Sequence, residues 1–269
     1  MVEVQNVEMR FGKKVALQGV SLRLEAGVYG LLGPNGSGKT TLMRCITGIL
    51  RPTRGSLDVP GMVGYLPQKF GMFRQLTVYE VLEYFAALKK VPGKEQRDII
   101  YDCLKEVNLT DRANDKMGTL SGGMVRRVGI AQTLLGDPAI ILFDEPTAGL
   151  DPGERLRFLN LVAHVKEGRT VVISTHIVED VASSCDHIII LNQGRVIMQS
   201  TAEELAGHAE GKVYEVPAAL RGELRDPYLL LREDMAADTL RVLSDVTQPG
   251  NFVSPTVEDG YMYCIGGRT

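Results

Sequence analysis

No apolar run in the sequence approaches the roughly 18 residues that cross a bilayer, and mean hydropathy is near zero. A membrane span is thereby excluded, and the chain cannot form a pore alone. Cys45, Cys103, Cys185 and Cys264 make no CxxC pair and no His–Cys cluster. Neither a disulfide framework nor a zinc site follows, and reduced thiols are expected. Glu3, Glu8 and Arg10 interrupt the first dozen residues, which is wrong for the apolar centre of a secretory signal. A cytosolic chain is therefore expected. A dominant charge sign is lacking too: 30 Lys+Arg stand against 33 Asp+Glu, a net charge of -3. Phosphate backbones gain no global attraction, so nucleic acid is not an expected partner. No internal repeat or low-complexity tract occurs. What the 269 residues do supply, 44% of them hydrophobic, is enough to bury a sizeable core.

Apolar β-rich runs at 28–32, 139–143, 170–174 and 188–191 alternate with helical periods at 39–49 and 156–165. That rhythm predicts an α/β sheet. Over 2–24 the alternation is looser and Gly12 and Gly19 punctuate it, which suits antiparallel strands beside the main sheet. Between 76 and 135 strand signals vanish. Thr77 and Glu80 stand at capping-box spacing ahead of helical periods at 81–89 and 99–107, so a helical insertion is expected. A closing strand at 195–199 precedes a short helix capped by Thr201 with Glu204. From about 210 short strand-like pieces (213–216, 228–231, 240–243) lead to a last helix, with Ser254 as N-cap, Pro255 in its first position and Gly266 beyond its end. The expected division is a unit over 1–209, with its helical part at about 76–135, and a small α+β extension over 210–269.

Gly33-Pro34-Asn35-Gly36-Ser37-Gly38-Lys39-Thr40 fits G-x-x-x-x-G-K-[ST] between a strand run and a helical segment, the context this phosphate-binding motif requires. The glycines let backbone N–H groups approach phosphate oxygens at the positive end of the following helix. Lys39 would neutralise β- and γ-phosphate charge, and the Thr40 hydroxyl would serve Mg²⁺. The apolar run 140–143 then delivers Asp144 and Glu145 at its end. Asp144 would hold Mg²⁺ and Glu145 would orient or deprotonate the attacking water. Pro146 predicts an extended backbone at Glu145.

Gln68 follows the run 62–66, and His176 follows 171–175. In a parallel sheet all these strand ends share one edge, where ligands of open α/β sheets bind. His176 would hydrogen-bond the γ-phosphate, and Gln68 would sense Mg²⁺ or water. Leu120-Ser121-Gly122-Gly123 opens another helical stretch at 124–135, with Ser121 as N-cap. By itself this tetrapeptide is a capped helix start.

Taken in order, these motifs resemble the nucleotide-binding domain of ATP-binding-cassette (ABC) ATPases over roughly residues 1–205. The resemblance implies a P-loop NTPase (RecA-like) core with an antiparallel β subdomain and a helical insertion. It implies Phe11 stacked on adenine, Gly33 to Thr41 as Walker A, Gln68 as the glutamine loop and Ser121, Gly122 and Gly123 as the signature. It further implies a Walker B strand ending in Asp144 and the catalytic Glu145, 148–151 as the D-loop, and His176 as the switch histidine. Met124 stands where the family signature has Gln. Phe11 is equally readable as a core residue, and Asp151-Pro152 as an ordinary helix cap.

The family comparison also implies a head-to-tail dimer, of two copies or of related chains, with each ATP between Walker A of one subunit and the signature of the other. The first expectation is an ATP-hydrolysing transport subunit at the inner face of the cell membrane, docked on a separate transmembrane permease and similar to bacterial exporter subunits. The stretch 69–76, with Phe70, Met72 and Phe73, would form the groove for that partner or an ordinary core-edge loop. A soluble ABC ATPase of translation, DNA repair or cofactor assembly is the second reading. One cassette, no heptad arm and no cysteine cluster weigh against it. Glu145 and His176 argue against a clamp that binds ATP without hydrolysis, and the signature argues against a P-loop kinase.

Overall fold

Period-two alternation decides how the central sheet is buried. Ile140 and Leu142 enter one apolar cluster, while Ile141 and Phe143 enter another on the opposite face. The computed structural model describes residues 1–71 and 73–266; Met72, named for the expected partner groove, lies outside the described residues, as do 267–269.

β1 (Val2–Phe11) and β2 (Lys14–Leu24) form an antiparallel pair. β3 (Gly27–Leu32) enters the main sheet, and α1 (Lys39–Ile46) follows it. The helical period expected over 39–49 ends early, because Thr47 closes α1 and Gly48 turns at φ 75°. β4 (Arg54–Asp58), which no expectation named, pairs with the free edge of β1 and completes a sheet of order β2-β1-β4. The loose alternation over 2–24 has a cause: the β1 register shifts after Val4, around Asn6 at φ 48°.

The main sheet adds β5 (Val63–Leu66), β6 (Ile140–Asp144), β7 (Thr170–Thr175), β8 (His187–Asn192) and β9 (Arg195–Ser200) in the order β5-β6-β7-β3-β8-β9. All pairs are parallel except β8 with β9. Every residue of β6 and β7 is buried, as a sheet covered on both faces demands. One face packs on Leu42 and Met43 of α1 and on β1 and β2. The other meets the helical insertion: α2 (Val78–Leu88), α3 (Gln96–Glu106) and α4 (Gly122–Leu134). Phe158, Leu161 and Val162 of α5 (Pro152–Val165) join that cluster. The capping box on α2 forms as its spacing predicts: the Glu80 N–H donates to Thr77 Oγ1 at 3.2 Å and the Thr77 N–H donates to Glu80 at 2.7 Å.

α6 (Val178–Ser184) and α7 (Ala202–Gly207) precede the C-terminal elements: β10 (Val213–Pro217), β11 (Leu229–Asp234), β12 (Thr239–Leu243), β13 (Asn251–Phe252) and α8 (Val257–Gly266). The strands form an antiparallel sheet of order β11-β12-β10-β13. α8 returns to pack Val257 and Tyr261 with Val181 of α6 and Leu205 of α7. Its cap is not the expected Ser254. The Asp259 N–H donates to Thr256 Oγ1 at 3.2 Å and the Thr256 N–H donates to the Asp259 carboxylate at 2.6 Å. Arg241, at 2.6 Å, fixes Asp259 and therefore the start of the helix. Among the described residues, no helix is long and apolar enough to cross a membrane.

Candidate active site

β3, β5, β6 and β7 end at one edge of the sheet, so the polar groups that follow them converge. The loop after β3 has no room for a side chain at Gly33 or Gly38. A Cβ on Gly33 would lie 2.1 Å from the Leu191 carbonyl oxygen, and Gly38 adopts φ 112°. The loop wraps the first residue of α1, whose ammonium donates to the carbonyls of Gly33 at 2.6 Å and Pro34 at 3.3 Å. Burial lowers the pKa of this Lys39, and the charges of Glu145 and Asp144 oppose that shift.

Asp144 is fully buried at the end of β6. Its Oδ1 accepts from the Thr40 hydroxyl at 3.1 Å and the Ser174 hydroxyl at 2.7 Å, and its Oδ2 from the Tyr65 hydroxyl at 3.3 Å. Burial and the Asp144 charge raise the Tyr65 pKa. Glu145 Oε1 lies 3.6 Å from Lys39 Nζ, and Oε2 lies 3.0 Å from His176 Nδ1. One strand end thus presents a carboxylate beside hydroxyls and a second beside an ammonium and an imidazole.

The backbone at Glu145 differs from the extended form that Pro146 predicted: it is left-handed, with φ 49°. Neighbouring groups impose this. Its N–H donates to the backbone oxygen of Ser174 at 3.1 Å and to Ser174 Oγ at 3.0 Å. The Arg126 guanidinium meanwhile holds its carbonyl at 2.7 Å. A non-glycine residue in this region costs about 1–3 kcal/mol, a strain typical of catalytic turns.

Phe11, Asn35, Gly36, Ser37, Gly38, Lys39, Thr40, Thr41, Gln68 and Glu145 all line an open cleft of about 590 Å³. Lys14 and Ala16 also line it, without having been foreseen. Phe11 is 47% exposed at the cleft, not part of the core. Ser121, Gly122 and Gly123 do not line this cleft. Ser121 is exposed and caps α4, its Oγ accepting from the Met124 N–H at 3.2 Å, while the Met124 side chain packs on the core. Asp151 caps α5, accepting from the Glu154 N–H at 2.9 Å.

Motif reading missed Tyr65, Ser174 and Arg126, whose partners are distant in sequence. It also missed Asp180, which accepts from the Thr147 hydroxyl at 2.8 Å and from Arg155. Only the position of Tyr65 and Ser174 near the ends of β5 and β7 could have drawn attention to them.

A family model described as ABC transporter matches residues 17–148. The chain is 35% identical to the linearmycin resistance ATP-binding protein LnrL of Bacillus subtilis, over 78% of this chain and 72% of that protein. Identity is also 35% with the Nod factor export ATP-binding protein I of Burkholderia orbicola, over 83% of this chain and 80% of the relative. A solved dimeric ATP-binding cassette in a post-hydrolysis state, bound to ADP and Pi, superposes with a TM-score of 0.69 at 30% identity, over 75% of this chain and 98% of that one. With the phosphate-binding loop, the paired carboxylates and the imidazole on one sheet edge, these likenesses place the chain in the ABC transporter family as an ATP-binding, ATP-hydrolysing subunit.

Proposed function

We propose that the chain hydrolyses ATP at the 33–41 loop and, as one of two ATPase subunits, drives export through a separate transmembrane permease. The observation that carries the reading is the Glu145 carboxylate held between Lys39 and His176 beside the Thr40–Asp144 pair. Loop N–H groups and Lys39 bind the β- and γ-phosphates, and Phe11 stacks on adenine. Glu145 accepts the proton of the attacking water while His176 holds the γ-phosphate. Thr40 and Asp144 offer hard oxygen donors 3.1 Å apart, and Gln68 lines the same cleft. No group of three His, Cys, Asp or Glu residues among the described residues could cage an ion alone. This suits Mg²⁺, which keeps water and phosphate oxygens as ligands. When bound there it supplies charge neutralisation to the transferring phosphoryl group.

Ser121, Gly122 and Gly123 sit away from the cleft of their own chain, so they serve the nucleotide of a second ATPase subunit. Exchange of patch for patch makes this a two-fold interface. The permease reading rests on an apolar patch of α2 beside the stretch that follows Gln68: Phe70 and Phe73 are partly buried on the core, the Phe73 ring lies 5.4 Å from that of Tyr84, and Tyr84 is 47% and Leu88 61% exposed. Such a patch takes the apolar face of a partner helix. Export is drawn from the relatives, one named for linearmycin resistance and another for Nod factor export. Residues 1–209 form the motor in this reading, with 76–135 as its helical part, and 210–269 an accessory extension. Coexpression with the multi-span product of a neighbouring gene tests it. Recovery of the chain in the membrane fraction with ATP turnover supports the proposal. Persistent solubility with ribosome or DNA association would favour the non-transport reading.

A further inference from the structure

Arg126 stands in the second turn of α4, five residues after the exposed cap Ser121, yet only 9% of it is accessible. A guanidinium has five N–H donors in a rigid fork, and here five main-chain carbonyls receive them. Nε donates to Pro146 at 3.1 Å, Nη1 to Pro67 and Gln68 at 3.0 Å each, and Nη2 to Asp144 at 3.0 Å and Glu145 at 2.7 Å. One loop after β5 and one after β6, with no other hydrogen bond between them among the described residues, are therefore joined through a single side chain on α4. Among the described residues no carboxylate pairs directly with it. Burial lowers its pKa, and the nearby charges of Asp144 and Glu145 oppose that.

We propose that Arg126 is a positioning residue that carries occupancy of the signature loop by one subunit's ATP to the catalytic glutamate serving the other ATP. The inference rests on the dimer reading above. Ser121 faces the nucleotide of the second subunit, whereas Gln68 and Glu145 face the nucleotide of their own. When α4 is drawn toward the partner's nucleotide, the fork moves the Gln68 and Glu145 backbones with it. Because Glu145 is held at φ 49°, with its carbonyl on Arg126, a small shift of α4 re-aims its carboxylate. Each site thereby becomes competent only when the opposite one is filled. A lysine, with three donors on one atom, cannot span both loops.

The test compares steady-state hydrolysis by the full chain with that of Arg126→Lys and Arg126→Gln, alone and combined with Ser121→Ala. The expected result is a KM within about twofold of wild type, a kcat lower by at least about tenfold, and a Hill coefficient falling toward about 1. Arg126→Lys added to Ser121→Ala is expected to be no slower than the slower single variant, because both break one relay. An unchanged kcat, or losses that simply multiply, would overturn the inference. Should neither Arg126 variant fold, amide exchange of Asp144, Glu145 and Thr147 in ATP-loaded Ser121→Ala decides with Arg126 intact: faster exchange than wild type supports the relay, and identical exchange refutes it. Turnover by wild-type monomers independent of concentration would remove the dimer reading itself and the relay with it. Concentration-dependent turnover with multiplying losses removes the relay alone.

Discussion

Replacing Glu145 by Gln changes one atom at the centre of the site. The carboxylate is nearly inaccessible, 3.0 Å from His176 Nδ1 and 3.6 Å from Lys39. Glutamine fills the same volume and can still hydrogen-bond the imidazole, so the fold should be retained. It cannot accept the water proton, and a general base contributes about 10²–10⁴ in rate, or roughly 3–5 kcal/mol of barrier. Removing a negative charge beside the 33–41 loop also lessens repulsion of the triphosphate. ATP binding should therefore hold or tighten while kcat falls by at least about a hundredfold. Phosphate release assayed with saturating ATP gives the rate, and size exclusion with ATP shows whether an unhydrolysed dimer accumulates. Wild-type turnover by the variant would remove Glu145 from the catalytic role and refute the reasoning.

Lys39→Ala removes the cation closest to the loop carbonyls, and equilibrium titration should show ATP affinity lower by about two orders of magnitude. Asp180→Ala removes a carboxylate that is 2% exposed and leaves the buried Thr147 hydroxyl and the one-third-exposed Arg155 without it. The loss is about 2 kcal/mol, most of it from the unsatisfied hydroxyl, and calorimetry should show the melting temperature down by roughly 4–8 °C. For Asp259, burial would raise the pKa, but hydrogen bonds from Arg241 and Thr256 prevail and hold it below 3.8. A depressed folded value gives stability that is full above about pH 4 and lost as pH falls through that lower value. Asp259→Asn should thus lower the melting temperature at neutral pH and flatten its decline in acid.

Legibility in the sequence followed the range of the forces involved. The capping boxes at Thr77 and Thr201, the Ser121 and Asp151 caps and the strand ends bearing Asp144 and His176 are local patterns, and the structure contains them. Arg126 was invisible because its five acceptors are main-chain groups 18–20 and 58–59 residues away, which no side-chain motif encodes. The Glu145 turn departs from the sequence expectation for the same reason: a local proline preference lost to hydrogen bonds donated to Ser174 and accepted from Arg126. At α8 the cap moved two residues because Arg241 of β12 anchors Asp259. β4 was missed since its pairing with β1, not its own short and mostly exposed pattern, makes it a strand.

The most direct measurement is the structure of the Glu145→Gln chain with ATP and Mg²⁺. The account predicts two subunits enclosing two nucleotides, each triphosphate touched by Lys39 of one subunit and Ser121 of the other. A nucleotide enclosed by one chain, with Ser121 facing solvent, would contradict it.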